Sequence, residues 1–155
     1  MPEKFRENLR EAIKNIQIAD HITYVTLPLV KEKRLLLKVF DEVYKAIMNC
    51  IMAILNYEFE IRKMRLYKDE KENLELFFNG YAKEYGINDE QIRKIKEIIE
   101  LKERHNQSAM EFVRKDRVIL LSDNLKTHSL DIVKIKEYLL LGKEILMKAS
   151  SGIKK

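Results

Sequence analysis

Ten residues in this chain have the side-chain types to do chemistry on a phosphate or a nucleic acid. His105, beside Arg104, and His21, preceded by Asp20, each adjoin a charged residue, and an imidazole is the side chain whose ordinary pKa suits proton transfer near neutrality. An RNase-like reaction would need His105 or His21 as base and a cation such as Arg104 or Arg114 against the developing negative charge. Consecutive residues diverge by ~100° around a helix, so Arg104 and His105 do not aim easily at one phosphate within a single chain. The other residues form two basic clusters, Arg62, Lys63, Arg65 and Lys68, and Arg114, Lys115 and Arg117. Should they converge on one face they would hold a phosphate backbone, with steep salt dependence. Each is equally a cation near a helix end, which the helix dipole favours without any ligand.

Other chemistries are poorly provided for. The glycines at 80, 86, 142 and 152 are too scattered for a phosphate-binding loop. No histidine has a second His or Cys three or four residues away, so neither a metal site nor a cofactor is expected. The single cysteine, Cys50, lies on an apolar stripe and reads as a small buried hydrophobe. Without paired cysteines, a signal core or an apolar run of ~20 residues, a soluble, cytoplasmic protein with no membrane partner is expected.

These residues must be carried by helices. Composition is 46% hydrophobic and 35% charged, with only 4 Gly and 2 Pro, and the net charge is +5. Leu36, Phe40, Val43, Ile47, Cys50, Ile54, Tyr57, Ile61 and Met64 alternate steps of four and three, and Leu37, Tyr44, Ile51 and Leu55 add a second stripe. A helix wetted on so narrow a side must be the centre of a bundle. The spacing predicts it to about Lys68, ~50 Å long. A first helix is expected from about Pro2 to Thr26, with Pro28 forcing a turn through Leu27 to Lys33. Asp69 with Glu72, and Asn88 with Gln91, read as start signals for a third helix ending at Gly86 and a fourth reaching about Arg114. Lys102, His105, Asn106 and Ser108 interrupt the apolar face of that fourth helix, where a partner or function would sit. Arg117 to Ser122, a turn at Asp123 and Asn124, and Leu125 to Leu130 could form a small hairpin. Asp131 then caps a last helix, and a disordered tail is expected from Ser150 to Lys155. The fold class is therefore all-α: a single-domain up-and-down bundle of about five helices over residues 1–149, around a long central helix, with a small β-hairpin before the last helix.

Val39 to Leu55, following an amphipathic first helix, resembles the helical core of HEPN-type domains over roughly the first 70 residues. The resemblance implies an up-and-down bundle, commonly dimeric, often paired with a nucleotidyltransferase and in many members an RNase. The RNase members carry an Arg four to six residues before a His. Here Arg104 adjoins His105 and Arg117 lies too far from His128, so that motif is absent. The expected function is a non-catalytic helical interaction module, a homodimer with a protein partner. The motive is the apolar surface of the central helix and of Phe77, Phe78 and Tyr81, more than a lone bundle could cover. Nucleic-acid binding through clusters 62–68 and 114–117, and an RNase with an atypical site, are the alternatives.

Overall fold

The computed structural model describes residues 4–30, 32, 34–62, 66–106, 110–114, 117–121 and 127–153, with backbone alone between 105 and 129. The elements in chain order are α1 (Lys4–His21), a π-helical turn (Ile22–Thr26), α2 (Leu27–Val30), α3 (Leu35–Ile61), α4 (Glu70–Leu76), a second π-helical turn (Phe77–Tyr81), α5 (Ala82–Glu84), α6 (Asp89–Asn106), three strands and α7 (Ile132–Gly152).

The central helix is α3, and most of both apolar stripes is buried: Leu36, Phe40, Val43, Ile47, Cys50 and Ile54 on one, Leu37, Ile51 and Leu55 on the other, while Tyr44 and Tyr57 are half-buried and Ile61 is exposed. Its neighbours alternate in direction. Asn15 of α1 reaches Glu42 while Asn8 reaches Asn56, so α1 runs antiparallel to α3. Tyr138 of α7 lies against Phe40, and Gly142 against Val43, so α7 runs parallel to it. Gln91 of α6 meets Glu144 and Lys94 meets Glu137, which makes α6 antiparallel to α7. The result is the up-and-down bundle that the apolar periodicity predicts. Burying an Ile, Leu or Phe side chain stabilises by roughly 1.5–3 kcal/mol, so α3 is the main source of cohesion.

Several boundaries differ from the sequence-based expectation, each for a local reason. Pro28 does not end the first helical run, which continues as α2 to Val30. The preceding turn is π-helical: the Leu27 N–H donates to the Ile22 carbonyl, five residues back. That wider turn displaces the carbonyls a proline ring would otherwise strike. Thr23 Oγ1 donates to the Ala19 carbonyl at 2.7 Å, one turn back. α3 stops at Ile61 rather than Lys68, so at 27 residues it is about 40 Å long. Beyond it, buried Asn73 accepts from the Tyr67 N–H at 3.0 Å and donates to the Tyr67 carbonyl at 2.9 Å, which holds that segment off the helical path.

The start signals are read correctly. Asp69 and Asp131 accept from the N–H groups of Lys71 and Lys134, and Asn88 and Gln91 exchange reciprocal side-chain-to-backbone bonds at 2.8 and 3.0 Å. Gly86, at φ 78°, closes the α4–α5 run.

α6 ends at Asn106, not Arg114, because residues 110–114 are extended. The strands are β1 (Met110–Arg114), β2 (Arg117–Leu121) and β3 (Thr127–Asp131), an antiparallel meander in that order. The expected hairpin of β2 and β3 thus has a third strand, with Phe112 opposite Ile119 and Val118 opposite both Val113 and Leu130. A third strand gives the ribbon a continuous apolar set, which two strands alone lack. The turn expected at Asp123 and Asn124 lies outside the described residues. The disordered tail expected from Ser150 is corrected as well: α7 continues to Gly152, whose Cα sits against the Tyr85 ring, and Ile153 is buried. No helix among the described residues is long and apolar enough to cross a membrane.

Candidate functional site

The basic residues of the first cluster end up at different places. Arg62 caps the end of α3, where it pairs with Glu58 at 3.4 Å and lies over the Tyr81 ring at 5.5 Å. Lys63 and Arg65 lie outside the described residues. Lys68 is exposed at the rim of an open groove of about 500 Å³, lined also by Tyr44, Lys45, Met48, Met52 and Glu70. The floor comes from α3, where positions 44, 48 and 52 recur at helical spacing, and α4 borders it through Glu70 and Asn73. Burial, with Glu70 and Glu103 nearby, raises the Tyr44 pKa, so its hydroxyl stays protonated and is no base. Lys102 joins from α6, bonded to Asp41 at 2.8 Å with its ammonium 5.6 Å from the Tyr44 ring. A thioether floor bordered by three lysines and a carboxylate can bind, but among the described residues it pairs no nucleophile with a base.

In the second cluster, Arg114 and Arg117 are register partners across β1 and β2. Lys115 lies outside the described residues. Like charges directly opposite one another weaken a strand pair. That backbone juxtaposition is the clearest concentration of positive charge on the meander.

The histidine candidates are not brought together by any described contact. His21 is exposed at the end of α1. His105 lies in the last turn of α6, and its side chain is outside the described set. Arg104 turns back along its own helix, with Nε and Nη2 at 3.2 and 2.7 Å from Glu100 Oε1. The polar run around His21 faces α7 rather than α6. Asp20 accepts from Lys143, and Lys136 and Lys143 stand 5.3 and 5.7 Å from the Tyr24 ring centre.

Two features escape a reading of the sequence. The first is a polar ladder between α1 and α3. Asn56 donates to Asn8 at 2.8 Å, Asn49 to Asn15 at 3.1 Å, and Asn15 to Glu42 at 3.0 Å. Glu42 also accepts from Lys38 at 2.8 Å and has Lys45 at 3.8 Å, although it is only 3% exposed. Burial pushes the Glu42 pKa up, but the bonds from Lys38 and Asn15 and the two lysine charges outweigh it, so the net direction is down. The signal was in the spacing: Asn8 and Asn15, and Glu42, Asn49 and Asn56, each recur every seven residues.

The second feature is where uncovered apolar surface lies. Phe77 and Tyr81 are buried within the bundle, and α3 is covered along most of both stripes, with Ile61 exposed and Tyr44 half-buried at the groove, so little of the expected excess lies there. Large apolar side chains are instead exposed on α7, at Val133, Leu140 and Met147, and along α1 and its continuation, at Ile13, Ile18, Tyr24, Val25 and Leu29.

Compared with protein-family models, with curated proteins and with solved structures, the chain matches none.

Proposed function

We propose that this chain is a non-catalytic helical interaction module that works as a homodimer. The HEPN resemblance suggests a nucleotidyltransferase as the class of further protein partner. The observation that carries the reading is the run of exposed apolar residues on the outer side of the bundle, with Val133 at 72%, Leu140 at 57% and Met147 at 67% exposure. Isolated exposed hydrophobes need no explanation, but a periodic set on one helix does. Sedimentation at micromolar concentration tests it: a dimer is expected, and a strict monomer overturns the homodimer.

Nucleic-acid binding is the second reading, favoured by Arg114 facing Arg117 across the meander. Bound phosphate would relieve the repulsion of that pair. Retention on mixed RNA and DNA at low salt is expected to fall steeply as salt rises, and to drop about equally for all sequences in the Arg114→Ala, Arg117→Ala double variant. No retention at low salt removes this reading.

A further inference from the structure

The homodimer reading leaves open which surface pairs, and α7 carries an answer in its charge pattern. Val133, Leu140 and Met147 are spaced by seven, so successive members differ by only about 20° around the helix and form one ridge about 21 Å long. Beside each of Val133 and Leu140, Lys136 and Lys143 fall about 60° to one side, and Glu137 and Glu144 about 40° to the other. The structure keeps those two flanks apart. The lysine flank lies toward α1, where Lys136 and Lys143 stand over Tyr24. The glutamate flank lies toward α6, where Glu137 pairs with Lys94 and Glu144 accepts from Gln91.

We infer that α7 is the dimer surface and that a second copy of this chain packs its own α7 against it in parallel, Val133 on Val133, Leu140 on Leu140 and Met147 on Met147. This rests on the homodimer reading and supplies its geometry. Two helices that face each other in parallel place opposite flanks together, whereas an antiparallel pair places like flanks together. Parallel packing therefore sets Lys136 and Lys143 of one copy toward Glu137 and Glu144 of the other, on both sides of the ridge. Antiparallel packing sets lysine on lysine and glutamate on glutamate, which is repulsive. The charges already have partners within their own chain, Lys143 with Asp20 and Glu137 with Lys94, but exposed pairs of that kind hold only weakly. Beyond the Met147 end of the ridge, Ser150 and Ile153 line a groove of about 330 Å³ with Phe5, Leu9 and Ile13 of α1, and Arg6 and Arg10 line it too.

Cysteine crosslinking separates the geometries, and the native Cys50 does not interfere: it is fully buried, and burial pushes its thiol pKa up to about 12. In full-length chain, Val133→Cys and Met147→Cys are each expected to crosslink to themselves on mild oxidation, and an equimolar mixture of the two should form little mixed product. Antiparallel packing would give the reverse, mixed product only, and would overturn the proposal. Leu140→Glu should raise the dimer dissociation constant by at least ~30-fold while leaving helical circular dichroism unchanged. A dimer unaffected by Leu140→Glu, with no crosslinking at 133 or 147, keeps the homodimer reading and overturns this surface. A wild-type monomer at every concentration overturns both.

Discussion

Replacing Asn15 by Ala removes the rung that joins Asn49 to Glu42. Asn49 loses its acceptor at 3.1 Å and Glu42 loses its donor at 3.0 Å. A buried polar group left unsatisfied costs about 1–3 kcal/mol. Asn49 is half-buried and can recover a water, and Glu42 keeps its bond to Lys38, so neither loss is complete. The expected net destabilisation is about 2 kcal/mol. With a urea m-value near ~2 kcal/mol/M, the unfolding midpoint should fall by about 1 M with m unchanged. The double variant Asn15→Leu, Glu42→Met removes both partners and should cost less than the two single changes summed, with a coupling of about 1–2 kcal/mol. Acid supplies an independent check. The folded pKa of Glu42 lies below its unfolded value of about 4.3, so its contribution is whole above that pH and is lost as pH falls through the lowered folded value. Glu42→Gln should therefore flatten the acid limb of the stability curve. An Asn15→Ala shift below ~0.5 kcal/mol, or an acid limb that Glu42→Gln leaves unchanged, would mean that water does the work assigned to the ladder.

Two further outcomes follow from glycines of α7. A Cβ at Gly152 would come within 2.4 Å of the Tyr85 ring, which Glu58 holds through the Tyr85 hydroxyl at 2.9 Å, so Gly152→Ala should cost about 1–3 kcal/mol in urea unfolding. At Gly142 the nearest atom is Ile16 Cδ1, at 2.9 Å, the movable end of a side chain. Gly142→Ala should be near neutral alone, but stabilising by about 0.5–1 kcal/mol in an Ile16→Val background, where that methyl is gone and the helix-propensity gain remains; equal effects in both backgrounds would refute the contact.

The parts of this fold that are legible in the sequence are those with a repeating apolar signal or a local chemical one. α3 could be read from Leu36 to Ile54 because every third or fourth residue enters one core. α6 could be given its start because Asn88 and Gln91 satisfy each other locally. What could not be read depends on partners distant in sequence. Met110 to Arg114 looks helical because Phe112 and Val113 continue the spacing of α6, and only pairing with β2 shows it extended. Asn8, Asn15, Glu42 and Asn49 look like solvated surface until α1 is laid on α3. The apolar spacing runs past the true end of α3 because Tyr67 is held by Asn73, a residue with no signature of its own. Of the candidate site residues, Arg114 and Arg117 are brought opposite each other. His21 and Arg104 have separate local surroundings, since surface charges are not bound by the burial that fixes apolar positions.

The π-helical turn at Ile22–Thr26 has a consequence for how length changes are tolerated. Such a turn stores one residue more than an α-helical turn of the same height. Removing a single residue there would return the turn to ordinary α geometry while leaving the downstream helix close to its present phase, because the i→i+5 turn already carries one residue in excess. Leu27, buried at 7% exposure, would keep its place on the core, but Pro28 would then meet an ordinary α-helical carbonyl. The surplus residue thus acts as a seat for the proline. It lets one continuous rod pass Pro28 and still present Ala12, Ile16 and Ala19 below the turn and Leu27 above it to the core, so a deletion there would be felt at the proline and not along the buried face.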